Sequence, residues 1–330
     1  VTSTERGGLG VLASGSTNHV ARELITAFSS SYQVAAAPRL DSMATPQAWA
    51  AFCSGMGART PDIFITTRHA SSSALEQCVA RGVTDIVEVE IGLGALVLAV
   101  KKGDTISSIT SEDVWRALAA EIVVSEELVA NRLPRWSEVS PRLPASDIRF
   151  VVPLPAGSTR SFFENLVLEA GCRHNPTIRL IFEASYRRAK CITMRQDGRV
   201  LERPVEDIPG EILRGPPGTI GAVSLSQLRS AGGTLVALEL DGALPSSASI
   251  ASRDYLPSVR MYIYAKKQHG RAQNGVGVVR GIREFMMMAV SEQMAGPDGR
   301  LSSAAGLVAL DPDARVRQRA IAANQTTMSR

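Results

Sequence analysis

The stretch Pro-Leu-Pro-Ala-Gly-Ser-Thr-Arg-Ser-Phe-Phe-Glu, residues 153–164, is more informative about this chain than any other segment. It lies between an apolar run and apolar positions at helical spacing, so it predicts a strand, a small-residue loop and a helix N-terminus. Gly157 permits close approach to the backbone, and Arg160 adds a fixed charge with a planar set of donors. Ser158 and Thr159 offer hydroxyl groups, and the first N–H groups of a helix have no partner within it. The stretch therefore predicts an oxyanion site; the alternative is an ordinary helix N-cap formed by Ser158 or Thr159.

Four further segments extend this pattern along the chain. They are Ala-Phe-Cys-Ser-Gly-Met-Gly-Ala-Arg-Thr-Pro-Asp-Ile (51–63), Glu-Gln-Cys-Val-Ala-Arg-Gly-Val-Thr-Asp-Ile-Val-Glu (76–88), the hydrophobic run Ile91–Lys101, and Gly-Ile-Arg-Glu-Phe (281–285). Together with the 153–164 loop, Cys172 and Cys191, they resemble the periplasmic phosphate-binding proteins of ABC importers, especially the branch common in alphaproteobacteria. The resemblance covers nearly the whole chain. It implies an α/β, two-lobed periplasmic-binding-protein (class II) fold with two crossing strands as its hinge.

The composition is that of a globular protein of more than one domain. The chain has 330 residues, of which 45% are apolar and 21% are charged. The longest apolar run, Ile91 to Val100, is much shorter than the roughly 18–20 residues that span a bilayer. The sequence starts at Val1 without a charged-then-apolar leader, which we interpret as removal of a signal segment. We therefore expect a periplasmic protein.

The charge pattern gives little indication of a nucleic-acid partner. The net charge is +4, and the basic clusters at 187–190 and 315–319 lie on helix-like stretches. We interpret both clusters as solvated faces; the alternative is a patch that binds nucleic acid or a membrane. Aromatic residues make up only 5% of the chain, which argues against a platform for stacking bases.

The four cysteines fall into two local pairs, Cys53 with Cys78 and Cys172 with Cys191. Neither pair has the spacing of a zinc site, and each lies within one half of the chain. Two disulfides formed in an oxidising compartment fit this arrangement, and the family resemblance implies the same pairing. The alternative is four buried free thiols in a cytosolic protein.

Short β-rich runs alternate with helical ones, as expected of parallel sheets covered by helices. In the first part of the chain we predict strands at 10–13, 33–37 and 62–66 and helices at 17–30 and 49–53. The crossing at 87–102 leads to a second α/β domain, with a helix at 111–120 and strands near 219–223 and 234–240. The run 259–266 carries the chain back, and a helix at 279–294 completes the first domain.

The predicted domains are therefore discontinuous. Residues 1–90 and 260–330 form lobe 1, and residues 91–259 form lobe 2. The segment 121–135 and the last ~20 residues are weakly patterned and are predicted to be surface features.

Two lobes joined by two crossing strands predict a hinged clamp with the ligand in the cleft. In lobe 1 the resemblance implies the ligand residues Ser14, Gly15, Ser16, Thr17, Thr67 and Arg68. The second ligand loop of the family, Thr-Gly-Thr-Gly-Gly-Gly, corresponds here to Ser42–Gln47. That loop has lost every glycine and gained Pro46, which removes a backbone donor.

In lobe 2 the implied ligand residues are Gly157, Ser158, Thr159, Arg160 and Asp207. Asp207 could accept a hydrogen bond from a protonated oxyanion, which is how hydrogen phosphate differs from sulfate. Its neighbour Glu206 adds a negative charge. Replacing Arg160 by Ala is expected to weaken anion binding tenfold or more and to leave folding almost unaffected.

The sequence does not favour an enzyme. It has no nucleophile elbow around Ser158, and its histidines and carboxylates have no metal-ligand spacing, so no cofactor and no metal are expected. His19 and His69 fall near the ligand loops and could contact a different ligand, although a rim position without that role is the alternative.

Two functions remain. The first is a monomeric periplasmic solute-binding protein that captures phosphate or a related oxyanion for the membrane subunits of an ABC importer. The second is a repurposed relative that serves as a structural or sensory subunit of an envelope protein complex without binding phosphate.

Overall fold

A computed structural model describes residues 6–33, 36–155, 158–270 and 277–328, and the side chains of Ser16 and Ser158 lie outside this description. The chain divides into two compact units. The first consists of Val1–Gly94 and Val259–Arg330, and the second is Ala95–Ser258. Both have mixed α/β structure.

The elements are given in chain order. The first are β1 (Gly10–Ser14), α1 (Asn18–Ser31), β2 (Arg39–Met43), α2 (Thr45–Phe52), β3 (Ile63–Thr66), α3 (Ser72–Ala80) and β4 (Ile86–Lys101). Next are β5 (Ser108–Ile109), α4 (Ser111–Leu118), β6 (Glu121–Val124), β7 (Glu127–Ala130), α5 (Trp136–Val139), β8 (Arg149–Pro153), α6 (Ser158–Phe163), a π-helical turn (Glu164–Leu168), α7 (Glu169–Cys172), α8 (Pro176–Arg179) and α9 (Ala184–Ile192). They are followed by β9 (Val200–Arg203), α10 (Ile208–Arg214), β10 (Thr219–Ser224), α11 (Leu225–Ser230), β11 (Leu235–Ala237), β12 (Glu239–Leu240) and α12 (Ser247–Ala251). The last are β13 (Ser258–Lys266), α13 (Ile282–Ala289), α14 (Glu292–Ala295), α15 (Arg300–Ala305) and α16 (Pro312–Asn324).

The sheet of the first unit has the strand order β2–β1–β3–β13. Strand β1 is parallel to β2 and β3, and β13 is antiparallel to β3. All five residues of β1 are buried, because helices cover both faces of the sheet. Val11 and Ala13 face one hydrophobic cluster with α1 and α13, whereas Leu12 faces a second cluster with α2 and α3. The uninterrupted apolar run of β1 thus reflects two cores rather than one.

The second unit has a sheet with the order β4–β10–β8–β9. Strand β8 is parallel to both β10 and β9, and β4 is antiparallel to β10. A satellite cluster around Trp115 contains Ile122 and both Cys172 and Cys191, so it connects α4 to the disulfide between α7 and α9. The two ends of this unit are hydrogen-bonded, because Leu96 N donates to Pro257 O at 3.0 Å.

Strand β4 contains Gly92 in a backbone conformation that favours glycine. Gly92 has φ +147°, and a Cβ atom there would lie 2.8 Å from the carbonyl oxygen of Val308. The next residue, Leu93, donates its N–H to Val308 O at 2.9 Å. Glycine therefore lets β4 approach the backbone of the chain's C-terminal part.

Both predicted disulfides are present. Cys53 is bonded to Cys78 and Cys172 to Cys191, with Cα–Cα distances of 4.3 and 5.4 Å. Each bond closes a loop within one unit, so each constrains the unfolded chain locally.

Two predictions of secondary structure were wrong. The second strand is β2, which starts at Arg39 and not at residue 33; residues 34 and 35 lie outside the described part. The predicted helix at 279–294 is two helices, α13 and α14, separated at Val290 and Ser291. The segment 121–135 contains the hairpin β6–β7 and the last part of the chain contains α16, two elements that were not predicted. Both segments are largely exposed, as expected of surface features.

Candidate anion-binding site

The carboxyl ends of three parallel strands lie side by side in the first unit. In the β1–β2 register, Ser14 lies opposite Met43, and Ala13 of β1 lies opposite Ile65 of β3. The loops that follow β1 and β3 therefore start next to each other. This is the edge of an open α/β sheet where ligands commonly bind.

The loop after β1 forms a 3-10 turn, Gly15–Thr17, that leads directly into α1. The Thr17 hydroxyl donates its single hydrogen to Ile65 O at 2.8 Å, and its oxygen also lies 3.0 Å from Ser14 O. Thr17 is fully buried, and Ser14 Oγ lies 3.2 Å from Thr17 Oγ1. These two hydroxyls thus fasten the turn to β3. Ser14 is the N-cap residue of the turn and Thr17 that of α1, and neither side chain makes a capping hydrogen bond to the helical backbone.

The loop after β3 contains the predicted residues Thr67 and Arg68. Arg68 is exposed and makes no ion pair with any described residue, and its N–H donates to Thr66 Oγ1 at 3.2 Å. Thr67 is half-buried. This short turn places the Arg68 charge one strand away from the N-terminal turn of α1.

His69 belongs to a small polar cluster beside this loop. Its Nε2 lies 3.2 Å from Glu88 Oε2, and its ring meets the edge of Tyr262 with 5.3 Å between centroids. The Tyr264 hydroxyl accepts a hydrogen bond from Ala70 N at 2.9 Å. Burial raises the pKa of Tyr264 above its ordinary value, and the Glu88 carboxylate raises this pKa further.

The predicted oxyanion loop lies between the end of β8 at Pro153 and the start of α6 at Ser158. Gly157 is outside the described residues, as is the side chain of Ser158, and Thr159 is half-buried. Arg160 is only 7% exposed. Its Nε donates to Glu164 at 2.8 Å, and its Nη1 donates to Pro153 O at 2.8 Å and to Glu202 at 2.9 Å.

Arg160 is therefore not the free arginine on which the sequence analysis relied. Two carboxylates outnumber its single charge, and three of its five N–H donors are used. Only the two N–H groups of Nη2 remain for a ligand. Because the side chain links α6 to β8 and β9, we now expect its removal to affect folding, unlike the expectation from the sequence.

The remaining predicted positions are less informative. Glu206 and Asp207 are exposed and lie in the 3-10 turn Val205–Asp207 that precedes α10. Of the loop that was expected at Ser42–Gln47, Ser42 belongs to β2 and Pro46 belongs to the first turn of α2. The sequence correctly placed both loops just before a helix. It did not predict that β2 extends through Ser42 to Met43.

A buried charged cluster at the other end of the first sheet was missed. Asp62 accepts hydrogen bonds from Arg6, from Gly10 N at 2.6 Å and from His269 Nδ1 at 2.7 Å. His269 Nε2 accepts from Gly57 N at 3.0 Å, which places the ring proton on Nδ1. Because these residues are far apart in sequence, no local motif could have revealed the cluster.

Two features are absent from the described residues. They contain no group of three or more His, Cys, Asp or Glu residues able to hold a metal ion. No helix among them is both long and apolar enough to cross a membrane.

Comparison with known proteins agrees with this architecture. Residues 1–292 match the family described as PBP superfamily domain. The chain belongs to the PBP superfamily. It is a family of binding proteins rather than of enzymes. No curated protein sequence matches the chain.

Solved structures share the fold at low sequence identity. A possible phosphate-binding protein from Planctomyces limnophilus has a TM-score of 0.65 and 16% identity, over 97% of this chain and 99% of that one. A phosphate-binding protein from Stenotrophomonas maltophilia has a TM-score of 0.63 and 11% identity, over 96% and 94%. A putative phosphate ABC transporter substrate-binding protein from Clostridium perfringens, with bound phosphate, has a TM-score of 0.57 and 15% identity, over 92% and 100%. The PBP superfamily chain described here therefore has a phosphate-binding-protein-like fold.

Proposed function

We propose that this chain is an extracytoplasmic solute-binding protein that captures phosphate or a related oxyanion for an ABC importer. Membership of the PBP superfamily and the phosphate-binding-protein-like fold support this proposal. Two disulfides are consistent with an oxidising, extracytoplasmic compartment.

The observation that carries the proposal is the uncapped turn at the start of α1 beside Arg68. The N-terminal N–H groups of a 14-residue helix carry a partial positive charge and point at whatever occupies the strand edge. Arg68 adds a full charge without a carboxylate partner among the described residues. An oxyanion is the ligand that would satisfy both kinds of donor.

Within the second unit, we propose Thr159 and the Nη2 group of Arg160 as anion donors. Arg160 pairs with both Glu164 and Glu202, so carboxylate acceptors lie beside its remaining donors. Sulfate carries no hydrogen at neutral pH and has nothing to donate to such an acceptor. A protonated oxyanion could instead donate its hydrogen to a carboxylate, and Asp207 is the other candidate acceptor. The proposal therefore favours hydrogen phosphate or arsenate over sulfate.

The test is titration calorimetry of ligand-stripped protein with phosphate, arsenate and sulfate. We expect heat with phosphate and arsenate, and at least tenfold weaker binding after Arg68→Ala, because a charge-assisted bond contributes about 1.5–3 kcal/mol. Arg81→Ala is the matched control, since Arg81 is an exposed arginine at the other end of α3. Absence of heat with every anion at millimolar concentration would contradict the proposal.

A specific observation also favours the alternative of a repurposed subunit in an envelope complex. Arg160 is already satisfied by carboxylates, and Pro46 stands in α2 where the family has glycines. On this alternative no anion binds, and Arg68→Ala changes neither calorimetry nor thermal stability. The same titration therefore decides between the two functions.

A further inference from the structure

The disulfide loop, defined here as residues 172–191, is held firmly at its base. Cys172 and Cys191 are buried with Trp115, and Ile178 lies in the same cluster. Ile181 is partly buried against it. The loop contains the short helix α8 and most of α9. Its backbone is thus anchored in the second unit, and most of the other residues between the two cysteines are exposed.

Two of these outward residues are large and apolar. Phe182 is 99% exposed and Leu180 is 84% exposed. Among the large apolar side chains in the described parts of the chain, the next most exposed is Leu256, at 66%. The two most exposed apolar side chains therefore stand two residues apart, in one loop, with the half-exposed Tyr186 following. Single exposed apolar residues are ordinary on a protein surface, but such a concentration indicates an interaction site.

The same loop contains the excess positive charge of the molecule. It has five arginine or lysine residues and one acidic residue, Glu183, which gives +4. The whole chain also has a net charge of +4, so the rest of the chain is neutral in sum. The single carboxylate of the loop is engaged in capping α9, where it accepts from Ser185 N at 3.0 Å.

Ion pairs from outside the loop reduce this charge without removing it. Arg173 and Arg188 both pair with Glu169, and Lys190 pairs with Glu121. The two remaining cations are Arg179 and Arg187. Neither pairs with a carboxylate in the described parts of the chain, and Arg187 donates to Ile181 O at 2.7 Å. These two unpaired charges flank Leu180 and Phe182 in the sequence.

We propose that the disulfide loop docks on an anionic phospholipid surface, with Leu180 and Phe182 entering the interface and Arg179 and Arg187 contacting lipid phosphates. Such a surface has an outer layer of charged headgroups and an apolar layer of acyl chains beneath it. The exposed apolar side chains can reach the acyl chains while the cations remain among the headgroups. A stable protein interface buries roughly 800 Å² per partner, more than three exposed side chains provide. A lipid surface, unlike a protein partner, can be bound without a large complementary interface.

The test is flotation of the intact, oxidised protein with vesicles of phosphatidylglycerol and phosphatidylethanolamine, compared with vesicles of phosphatidylcholine. We expect binding to the anionic vesicles alone, and loss of that binding as salt is raised. The double variant Leu180→Ser/Phe182→Ser and the double variant Arg179→Gln/Arg187→Gln are each expected to bind at least tenfold more weakly. Circular dichroism should show all variants folded, since the four side chains are outside the hydrophobic clusters.

Two matched controls separate this loop from general effects. Arg22→Gln/Arg317→Gln removes the same charge from exposed positions on α1 and α16, and Leu256→Ser removes another exposed apolar side chain. Both should bind like the wild type. The proposal is overturned if wild-type protein does not float with anionic vesicles or if the charge control loses binding equally. It is also overturned if the protein binds immobilised polyglutamate but not vesicles, which would indicate an acidic protein partner.

Discussion

Lys266 lies at the end of β13 and has no contact with water. Its Nζ donates to Gly55 O at 2.8 Å and to Thr60 Oγ1 at 3.0 Å, and it lies 5.1 Å from the centre of the Phe52 ring. Burial lowers the pKa of Lys266 from 10.5 to about 8, although the nearby Asp62 carboxylate acts in the opposite direction. The amine therefore binds its proton less tightly in the folded protein than in the unfolded chain.

This shift predicts that stability rises with pH between about 8 and 10.5. In that window the unfolded chain holds a proton that the folded protein has released, so raising the pH favours folding. The shift corresponds to about 3 kcal/mol at most. Denaturant unfolding at pH 7.5, 9 and 10 should show the rise in wild type and not in Lys266→Met. Lys102→Met, at an exposed position, should retain it. A rise of equal size in Lys266→Met would show that another group is responsible.

Arg160→Ala should lower stability as well as any anion affinity. The substitution leaves Glu164 and Glu202 without their common cation, and bonds to charged groups contribute about 1.5–3 kcal/mol each. Denaturant unfolding measures the loss, with Arg132→Ala as a control at an exposed position of the same unit. Equal stabilities of the two variants would mean that the ion pairs contribute little.

The partners of Arg160 also show how far sequence could predict the site. Glu164 is four residues along the same helical segment, so this pair could be anticipated from spacing alone. Glu202 comes from β9, and its approach depends on the pairing of β8 with β9, where Val152 lies opposite Glu202. That register was not available from the sequence. The loop was thus located correctly, but its electrostatics were not.

At the level of elements, helices and strands with strong apolar patterns were predicted well. The strands of a hairpin that depends on its turn were not. The strands β1, β3 and β13 and the helix α1 were located within a few residues, because their apolar runs are long or strictly periodic. The hairpin β6–β7 was missed because its turn, Ser125-Glu126, contains neither Gly nor Asn. Both residues adopt positive φ, 49° and 69°, which side chains of this type rarely favour. The local turn propensity of Ser125 and Glu126 is low, and the turn forms because β6 and β7 pair.

The conformation of β4 at Gly92 predicts a marked difference between two neighbouring glycines. Gly92→Ala places a Cβ 2.8 Å from Val308 O on a residue with φ +147°, so it should cost about 1–3 kcal/mol. Gly94→Ala meets only the end of the flexible Met261 side chain, at 3.0 Å, and should cost less. Thermal unfolding of both variants measures the difference. The prediction fails if Gly92→Ala is as stable as Gly94→Ala.

At the scale of the whole molecule, the second unit is one continuous piece of chain with its own sheet and disulfide. Since Leu96 and Pro257 are hydrogen-bonded, its two ends lie together. We therefore expect the fragment 95–258 to fold alone and to unfold cooperatively in denaturant, with no free thiol. The fragment 1–94 should not fold, because it lacks β13 and α13. A disordered 95–258 fragment by circular dichroism would contradict this expectation.

The discontinuous first unit has a consequence for the order of events during synthesis. When β1, β2 and β3 leave the ribosome, the strand that borders β3 has not yet been translated. The free edge of β3 and the apolar face that later receives Phe285 stay uncovered while the entire second unit is made and folds. We expect a nascent chain of this kind to need a holding chaperone until its last segment arrives. A chain truncated after residue 258 and oxidised in vitro should therefore contain one native disulfide-bonded unit and one aggregation-prone N-terminal segment.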